Sequence, residues 1–266
     1  MIKRITRITL IIVFTVSMSL GGIAQTIKKI SERGELRVGM TGNQPPFTMK
    51  ALDGSVIGYE ADLAAMLAGV MGVELKIVEL PFPELLDALE AGKVDVVMSG
   101  MAMTFERNMR VAFAGPYLLS GKSILTKSAA ISETKSSEEL NSDKIKMVAL
   151  KGSTSESYVN SDVPEADLVL ADSYDEALNK LESGEVSILV ADYPYCVYTS
   201  LVYPEKNLIT LDQPLTIEPI GMALPAGDAH LHNLVQNYMN ALSMIGVLDL
   251  LEIKWFENGE WVPLVK

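Results

Sequence analysis

The sequence predicts an α/β protein in which β-strands alternate with α-helices. Apolar residues recur first at strand spacing and then at helix spacing along most of the chain after residue 35. A pattern of amphipathic helix, glycine and apolar strand occurs twice, at residues 85–98 and 177–190. The chain has 266 residues, 48% apolar and 21% charged, which suffices for two ordinary domains with cores. Because the pattern occurs only twice, we expect two similar units and not a solenoid.

The first half of the chain contains five predicted elements. They are a strand at 35–39, a helix at 58–72, a strand at 73–79, a helix at 83–90 and a strand at 94–98. The inward face of the first helix comprises Leu63, Met66, Leu67 and Val70, and that of the second comprises Leu85, Leu86 and Leu89. Gly72 and Gly92 supply the stops that end the two helices.

The second half repeats the alternation after a polar stretch at 128–143 that we interpret as a loop. Its elements are a strand at 146–150, a helix from 155, a strand at 167–170, a helix at 173–182 and a strand at 186–190. Near the C-terminus, Asp228, His230 and His232 share a short polar run that we interpret as a surface turn. The spacing of the two histidines would suit a metal site on a strand, but we expect no metal site here.

Charge and cysteine content exclude several classes of function. The formal net charge is −12, so the chain offers no basic surface for nucleic acid or anionic lipid. Cys196 is the only cysteine, which excludes an intrachain disulfide and a multi-cysteine metal site. We expect no cofactor.

Residues 1–24 have the three parts of a secretory signal peptide. Lys3, Arg4 and Arg7 precede an apolar run at 8–20, which is short for a membrane span. Small residues at Gly22 and Ala24 suit cleavage after residue 24. We therefore expect a soluble mature protein outside the cytoplasm; an uncleaved anchor is the alternative.

Three segments at strand ends carry candidate binding residues, because ligands of α/β sheets sit beyond the carboxyl ends of strands. In the first, Ser99 and Gly100 expose backbone N–H groups, and Thr104 caps a turn that holds Arg107. The guanidinium of Arg107 can bind a carboxylate through two hydrogen bonds. The alternative for Arg107 is an ion pair with a structural acid on the surface.

The second segment is a strand followed by a Gly-Ser-Thr turn that opens a helix. Its N–H groups and helix dipole would favour an anion near Ser153 and Thr154. Ser153 followed by Glu156 also fits a capping box, and the two roles are compatible. In the third segment, Asp192 follows a strand, where it could receive an ammonium group or cap the next helix. Tyr193, Tyr195 and Tyr198 could line a pocket or pack.

The order Thr-x-x-Arg, Gly-Ser-Thr and strand-Asp resembles the extracellular solute-binding proteins of polar amino-acid ABC transporters. Further similarity lies at residues 27–39, Pro46-Phe47, residues 58–63 and the stretch from Arg107 to Pro116-Tyr117. The resemblance implies a type II periplasmic-binding fold: two α/β lobes joined by two crossing strands, with the ligand between them. It places residues 25–120 and 219–266 in the first lobe and residues 121–218 in the second.

By this resemblance, Arg107 binds the α-carboxylate of an amino acid with help from groups around Ala102, Ser153 and Thr154. Asp192 takes the α-ammonium, Ser99 and Gly100 border the pocket, and Phe82 covers the ligand side chain. The loop Thr41-Gly-Asn-Gln44 lacks the acid that basic-amino-acid binders often carry, so Gln44 suits a polar, uncharged ligand side chain. Ala102 replaces a hydroxyl residue that is common at its position.

The resemblance also implies partners and a rival function. A monomeric periplasmic binder would deliver its amino acid or related carboxylate to an ABC permease in the inner membrane. The rival is a cyclohexadienyl dehydratase, because Met98-Ser-Gly100 and Glu106-Arg107 are similar to those enzymes on the same fold. They use a glutamic acid three residues after the second-lobe aspartate as general acid. Tyr195 stands there, and a phenol with a pKa of about 10 is a poor acid for this task.

Overall fold

The computed structural model describes residues 26–134 and 136–265. The predicted signal peptide at 1–24 lies outside the described residues. Among the described residues, no helix combines the length and the apolar character that a bilayer span requires.

Three groups of elements follow one another along the chain. The first group is α1 Thr26–Arg33, β1 Glu35–Met40, β2 Asn43–Gln44, β3 Thr48–Lys50, β4 Val56–Ile57, α2 Tyr59–Met71, β5 Glu74–Glu79, α3 Leu85–Glu90, β6 Val96–Val97, α4 Phe105–Asn108 and β7 Ala112–Ser120. The second is β8 Lys122–Thr126, α5 Ala129–Ser132, β9 Lys146–Leu150, α6 Thr154–Asp162, β10 Asp167–Ala171, α7 Tyr174–Glu182, β11 Ile188–Asp192, α8 Tyr193–Val202 and β12 Ile209–Thr210. The third is β13 Glu218–Leu224, α9 Ala229–Met244 and α10 Val247–Glu252.

These strands form two five-stranded sheets that share a plan. The first sheet has the order β5-β1-β6-β13-β7, and the second has the order β10-β9-β11-β8-β12. In each sheet the first three strands are parallel, and the fourth is antiparallel to its neighbours. The strands β2, β3 and β4 form a small antiparallel sheet. The predicted α/β fold class is confirmed.

The repeated helix-glycine-strand pattern occupies equivalent places in the two sheets. The helix α3 leads through Gly92 into β6, and α7 leads through Gly184 into β11. Both glycines have a left-handed φ, +68° and +78°. Each of these strands is the third in its sheet. The two similar units inferred from the repeat are therefore present in the structure.

The chain first passes from one sheet to the other at Gly121 and returns through the segment before β13. The strand β7 ends at Ser120 and β8 begins at Lys122, with Gly121 between them. A Cβ at Gly121 would lie 1.9 Å from the carbonyl oxygen of Thr216, on the segment that returns to β13. The two crossing segments therefore touch at this glycine. The lobe limits 25–120 with 219–266, and 121–218, stay a prediction, because sheet membership does not by itself define a lobe.

Several predicted elements differ from the structure in their limits. Val70 is exposed, because the buried part of α2 ends at Ala68 and its last turn projects beyond it. The strand predicted at 94–98 pairs only at Val96–Val97. The strand predicted at 186–190 runs from Ile188 to Asp192, because its antiparallel pairing with β8 continues to the last pair, Asp192 and Lys122.

The polar run at 228–232 was predicted wrongly as a surface turn. It begins α9, because the carboxylate of Asp228 accepts a hydrogen bond from the N–H of Leu231 at 2.9 Å and caps the helix. The ring Nε2 of His232 lies 2.9 Å from the carbonyl oxygen of Phe113. His232 thus ties the helix to the first sheet.

Candidate ligand-binding site

Arg107 lies on the short helix α4, and its charge has only neutral partners. The hydroxyl of Thr104 accepts a hydrogen bond from the N–H of Arg107 at 3.2 Å, so the predicted cap is present. The guanidinium donates through Nη1 to the carbonyl of Ala102 at 3.0 Å and through Nη2 to that of Gly152 at 3.1 Å. Within the described ranges, no carboxylate forms an ion pair with it. Burial lowers the pKa of Arg107, although Asp192 and Glu218 act in the opposite direction.

Phe82 lies beneath Arg107 at the same opening. The centre of its ring is 5.5 Å from the guanidinium carbon, a distance at which the ring face attracts a cation. Arg107, Phe82, Ser153 and Thr154 line one cavity of ≈ 540 Å³. Phe82 also lines a second cavity of ≈ 300 Å³, together with Thr41 and Asn43. The aromatic ring therefore separates two adjoining spaces.

The turn before α6 faces Arg107, with Ser153 as its cap. The hydroxyl of Ser153 accepts from the N–H of Glu156 at 3.3 Å and donates to the carbonyl of Leu150 at 2.6 Å. The carboxylate of Glu156 accepts from the N–H of Gly152 at 2.7 Å, one residue before the position expected in a capping box. The N–H groups of Thr154 and Ser155 have no acceptor within the helix, as at any helix start. An anion beside Arg107 could therefore also accept from this turn.

Gly100 and Gln44 form a second cluster in contact with Asp192. Gly100 has a left-handed φ of +58°, and a Cβ there would lie 2.5 Å from Nε2 of Gln44. The side chain of Gln44 donates through Nε2 to Asp192 Oδ2 at 2.8 Å. Ser99, beside Gly100, accepts from the N–H of Thr41 at 3.1 Å. The missing side chain at Gly100 thus gives Gln44 room to reach across to β11.

Behind Gly100 lies a buried acid that the sequence did not single out. Glu60 accepts hydrogen bonds from the N–H of Gly100 at 2.7 Å and from the hydroxyl of Tyr117. Burial raises the pKa of Glu60 to about 7, although both hydrogen bonds act to lower it. This carboxyl supports the Gly100 turn from the core side.

Asp192 is buried, and the chain itself supplies its partners. Oδ1 lies 2.6 Å from Nζ of Lys122, while Oδ2 accepts from Gln44 and, at 3.4 Å, from the hydroxyl of Tyr174. Asp192 precedes α8 at the cap position, but its side chain makes no capping hydrogen bond. The carboxylate is therefore turned away from the helix and towards Lys122 and Gln44.

Lys122 and Glu218 connect the turn before α6 with the cluster of Gly100, Gln44 and Asp192. Nζ of Lys122 lies 3.2 Å from Glu218 Oε2, which also accepts from the hydroxyl of Thr154 at 2.7 Å. A chain of polar contacts thus runs from the Gly-Ser-Thr turn to Asp192. Sequence reasoning missed Lys122, Glu218 and Tyr174. The signal for Lys122 was a lone charge at the start of a strand that is otherwise uncharged.

The three tyrosines near Asp192 differ in their surroundings. The ring of Tyr195 is buried and stacks on Tyr174 at 4.3 Å, and burial raises the pKa of its hydroxyl. Tyr198 stacks on Trp261 at 5.2 Å. The hydroxyl of Tyr193 donates to the carbonyl of Asp212 at 3.1 Å. Tyr195 therefore serves as a packing residue, whereas Tyr193 and Tyr198 line a separate cavity of ≈ 740 Å³.

Groups from the two α/β units meet where Arg107 donates to Gly152 and where Gln44 donates to Asp192. Residues 36–258 match the family of bacterial extracellular solute-binding proteins, family 3, and the chain belongs to this family. Its fold is the type II periplasmic-binding fold of its structural neighbours.

Three similar proteins illustrate the range of the family. A cyclohexadienyl dehydratase of Pseudomonas aeruginosa is 24% identical over 91% of this chain and 90% of its own. The L-cystine-binding protein TcyJ of Escherichia coli is 26% identical over 86% of this chain and 85% of its own. A putative ABC-transporter binding component from Wolinella succinogenes, solved in complex with lysine, is 33% identical with a TM-score of 0.82, covering 87% of this chain and 99% of that one. Homologues of this chain thus include amino-acid-binding components of ABC transporters.

Proposed function

We propose that this chain is the solute-binding component of an amino-acid ABC importer. In this proposal residues 25–120 and 219–266 form one lobe, residues 121–218 form the other, and a small zwitterionic amino acid bridges them. The observation that carries the proposal is the guanidinium of Arg107, whose hydrogen bonds among the described residues go only to the carbonyl oxygens of Ala102 and Gly152.

The carboxylate of the ligand would take those guanidinium donors. Arginine binds a carboxylate through two parallel hydrogen bonds, and its hydrogen bonds to a charged carboxylate are stronger than those to the neutral carbonyls of Ala102 and Gly152. The first turn of α6 lies on the far side of the cavity and supplies N–H groups near Ser153 and Thr154. Phe82 would cover the ligand side chain, with its ring centre 5.5 Å from the guanidinium carbon. Ser99 and Gly100 would border the other end of the ligand.

The charges of the cleft favour a ligand without net charge. Arg107 and Lys122 are balanced by Asp192 and Glu218, and a zwitterion that joins Arg107 to Asp192 leaves this balance unchanged. A basic side chain would add an unmatched positive charge near Lys122, which is costly in a desolvated site. Gln44 and Asn43 offer polar groups instead of an acid. We therefore propose a polar, uncharged amino acid, although the relative from Wolinella succinogenes was solved with lysine.

The relative from Pseudomonas aeruginosa raises the question of an enzyme, and Tyr195 argues against one. A dehydratase needs a general acid whose pKa lies near the working pH. Burial moves the pKa of Tyr195 further from that range, and the ring stacks on Tyr174. We therefore propose binding without catalysis. The protein would act as a periplasmic monomer after signal-peptide removal and present its closed form to an inner-membrane permease.

A thermal-shift screen tests the proposal. The protein lacking residues 1–24 would be unfolded, stripped of ligand, refolded and screened against the amino acids, simple carboxylates, prephenate and arogenate. A ligand that binds the folded state raises the melting temperature, and at equal concentration a tighter ligand raises it further. We expect an uncharged amino acid to stabilise the protein and to be recovered unchanged. Conversion of prephenate to phenylpyruvate, or of arogenate to phenylalanine, would contradict the proposal.

A further inference from the structure

Lys122 holds an ammonium group where the ligand's own ammonium is proposed to bind. Its Nζ lies 2.6 Å from Asp192 Oδ1, and the other carboxylate oxygen of Asp192 already accepts from Gln44. Lys122 is 1% exposed, so this is a desolvated contact and not a solvated surface pair. A ligand ammonium can therefore reach Asp192 only by replacing a partner that the chain itself supplies.

The position of Lys122 follows from the strand pairing. Lys122 on β8 and Asp192 on β11 are direct partners in the antiparallel register, so their side chains leave the same face of the second sheet. Every residue of β8 is buried, and a lysine there requires an acid. The strand register therefore places Lys122 beside Asp192, so the ion pair does not depend on a chance contact between two long side chains.

Glu218 gives Lys122 a second acid at the same place. Glu218 Oε2 lies 3.2 Å from Nζ, and the hydroxyls of Thr154 and Thr216 hold the two oxygens of Glu218 at 2.7 and 3.2 Å. If Lys122 leaves Asp192, it keeps this partner with little movement. The exchange would replace the pair Lys122–Asp192 by a pair of the ligand with Asp192, while the existing pair Lys122–Glu218 remains, so no charge is left unmatched.

We infer that Lys122 is a specificity-determining residue whose ammonium competes with the ligand's α-ammonium for Asp192. This inference rests on the proposed function, since it assumes a ligand carboxylate at Arg107. Competition reduces what the amino group of the ligand adds to affinity and leaves the carboxylate's contribution intact. The protein therefore accepts 2-hydroxy acids almost as well as the matching 2-amino acids.

Calorimetric titration of matched ligand pairs tests this inference on the refolded protein. The probes are serine with glycerate, alanine with lactate, phenylalanine with phenyllactate, and the strongest amino acid of the thermal screen with its 2-hydroxy analogue. The measured quantity is the Kd of the hydroxy acid divided by that of the amino acid. In the unaltered protein we expect this ratio to be below about 10, which corresponds to about 1.4 kcal/mol.

Two substitutions move the ratio in opposite directions. In Lys122→Met, Asp192 is left without its cation, so the ratio should rise at least about tenfold through tighter binding of the amino acid. In Glu218→Gln, Lys122 loses its alternative acid and the ratio should fall. Lys122→Arg keeps the charge and should retain the original ratio. If Lys122→Met fails to fold, the Glu218→Gln variant tests the inference alone: a lower ratio supports it and an unchanged ratio overturns it.

The outcomes separate this inference from the function on which it rests. Binding of both members of a pair with an unchanged ratio in Lys122→Met or Glu218→Gln would overturn the inference and leave the proposed function standing. A lower ratio in Lys122→Met would also overturn it. Absence of binding by every probe, in the unaltered protein and in all variants, would overturn the proposed function and the inference with it.

Discussion

A missing side chain at Gly100 lets the amide of Gln44 reach Asp192. A Cβ at this position would lie 2.5 Å from Nε2 of Gln44, and the backbone there has a left-handed φ of +58°. The alanine substitution therefore combines backbone strain with displacement of a residue that contacts the buried acid. At the scale of single residues, the geometry of the site depends on this close approach.

We predict that Gly100→Ala lowers the free energy of unfolding by about 1–3 kcal/mol and weakens ligand binding. Gly92→Ala is the matched control, because Gly92 has a φ of +68° and a Cβ added there would meet no atom of the described residues within 4 Å. Urea unfolding and calorimetry measure both effects. Equal losses of stability in the two variants, with unchanged affinity in both, would contradict the role of the Gly100–Gln44 contact.

Because the pKa of Glu60 is raised, this residue makes the free energy of unfolding fall as the pH rises. A surface acid whose pKa is lowered by a basic partner has the opposite effect. The pKa of Glu60 is raised from 4.5 to about 7 in the folded protein, mainly by burial. The folded state therefore binds the proton more tightly than the unfolded state does. Its contribution to stability is full below pH 4.5 and is lost as the pH rises through about 7.

We predict that Glu60→Gln gains stability relative to the unaltered protein as the pH rises. The glutamine amide has no ionised form to bury, and its oxygen can still accept from Gly100 and Tyr117. Chemical denaturation at about pH 5 and about pH 8 measures the difference between the two proteins at each pH. The same difference at both pH values would show that Glu60 does not titrate in this range.

At the scale of elements, the helix α4 positions Arg107, although it contains only four residues. Its N-terminus is fixed by the hydroxyl of Thr104, which accepts from the N–H of Arg107 itself. A helix this short has little intrinsic stability, so the capping hydrogen bond contributes more to its formation than the helix propensity of its residues does. The cap therefore acts directly on the residue proposed to bind the carboxylate.

We predict that Thr104→Ala weakens ligand binding by about fivefold to tenfold, since loss of a cap costs about 1 kcal/mol. Ser128→Ala is the control: Ser128 caps α5, another four-residue helix, and lies away from Arg107 in the sequence. Calorimetry with the screened ligand compares the two variants. A similar effect of both substitutions on affinity would contradict a positioning role for the Thr104 cap.

Helices and strands could be predicted where the residues that determine them are close together in the sequence. The strand at 146–150 and the caps at Thr104 and Ser153 follow from apolar runs and from side chains within three residues. The end of β11 was not predictable, because Asp192 belongs to the strand only through its pairing with Lys122. The start of α9 was missed because Asp228 beside two histidines is typical of a turn as much as of a cap.

At the scale of the whole molecule, the repeated helix-glycine-strand pattern was enough to predict two similar α/β units. The candidate residues Arg107, Phe82, Ser153 and Thr154 do line one cavity. The sequence could not indicate the contacts of Lys122 with Asp192 and Glu218, which are 70 and 96 residues away along the chain. Such contacts depend on how the two crossing segments bring distant strand ends together.

Calorimetric titration of the refolded protein and its Arg107→Ala variant, with the amino acid selected by thermal shift, is the most direct test of whether Arg107 binds the ligand carboxylate. We predict a loss of at least about thirtyfold in affinity, because removing one partner of a desolvated charge pair costs about 2–5 kcal/mol. Arg37→Ala is the control, since Arg37 pairs with Glu35 and lines neither of the two cavities beside Phe82, so this variant should bind the ligand normally. Unchanged affinity in Arg107→Ala would show that Arg107 does not bind the ligand carboxylate.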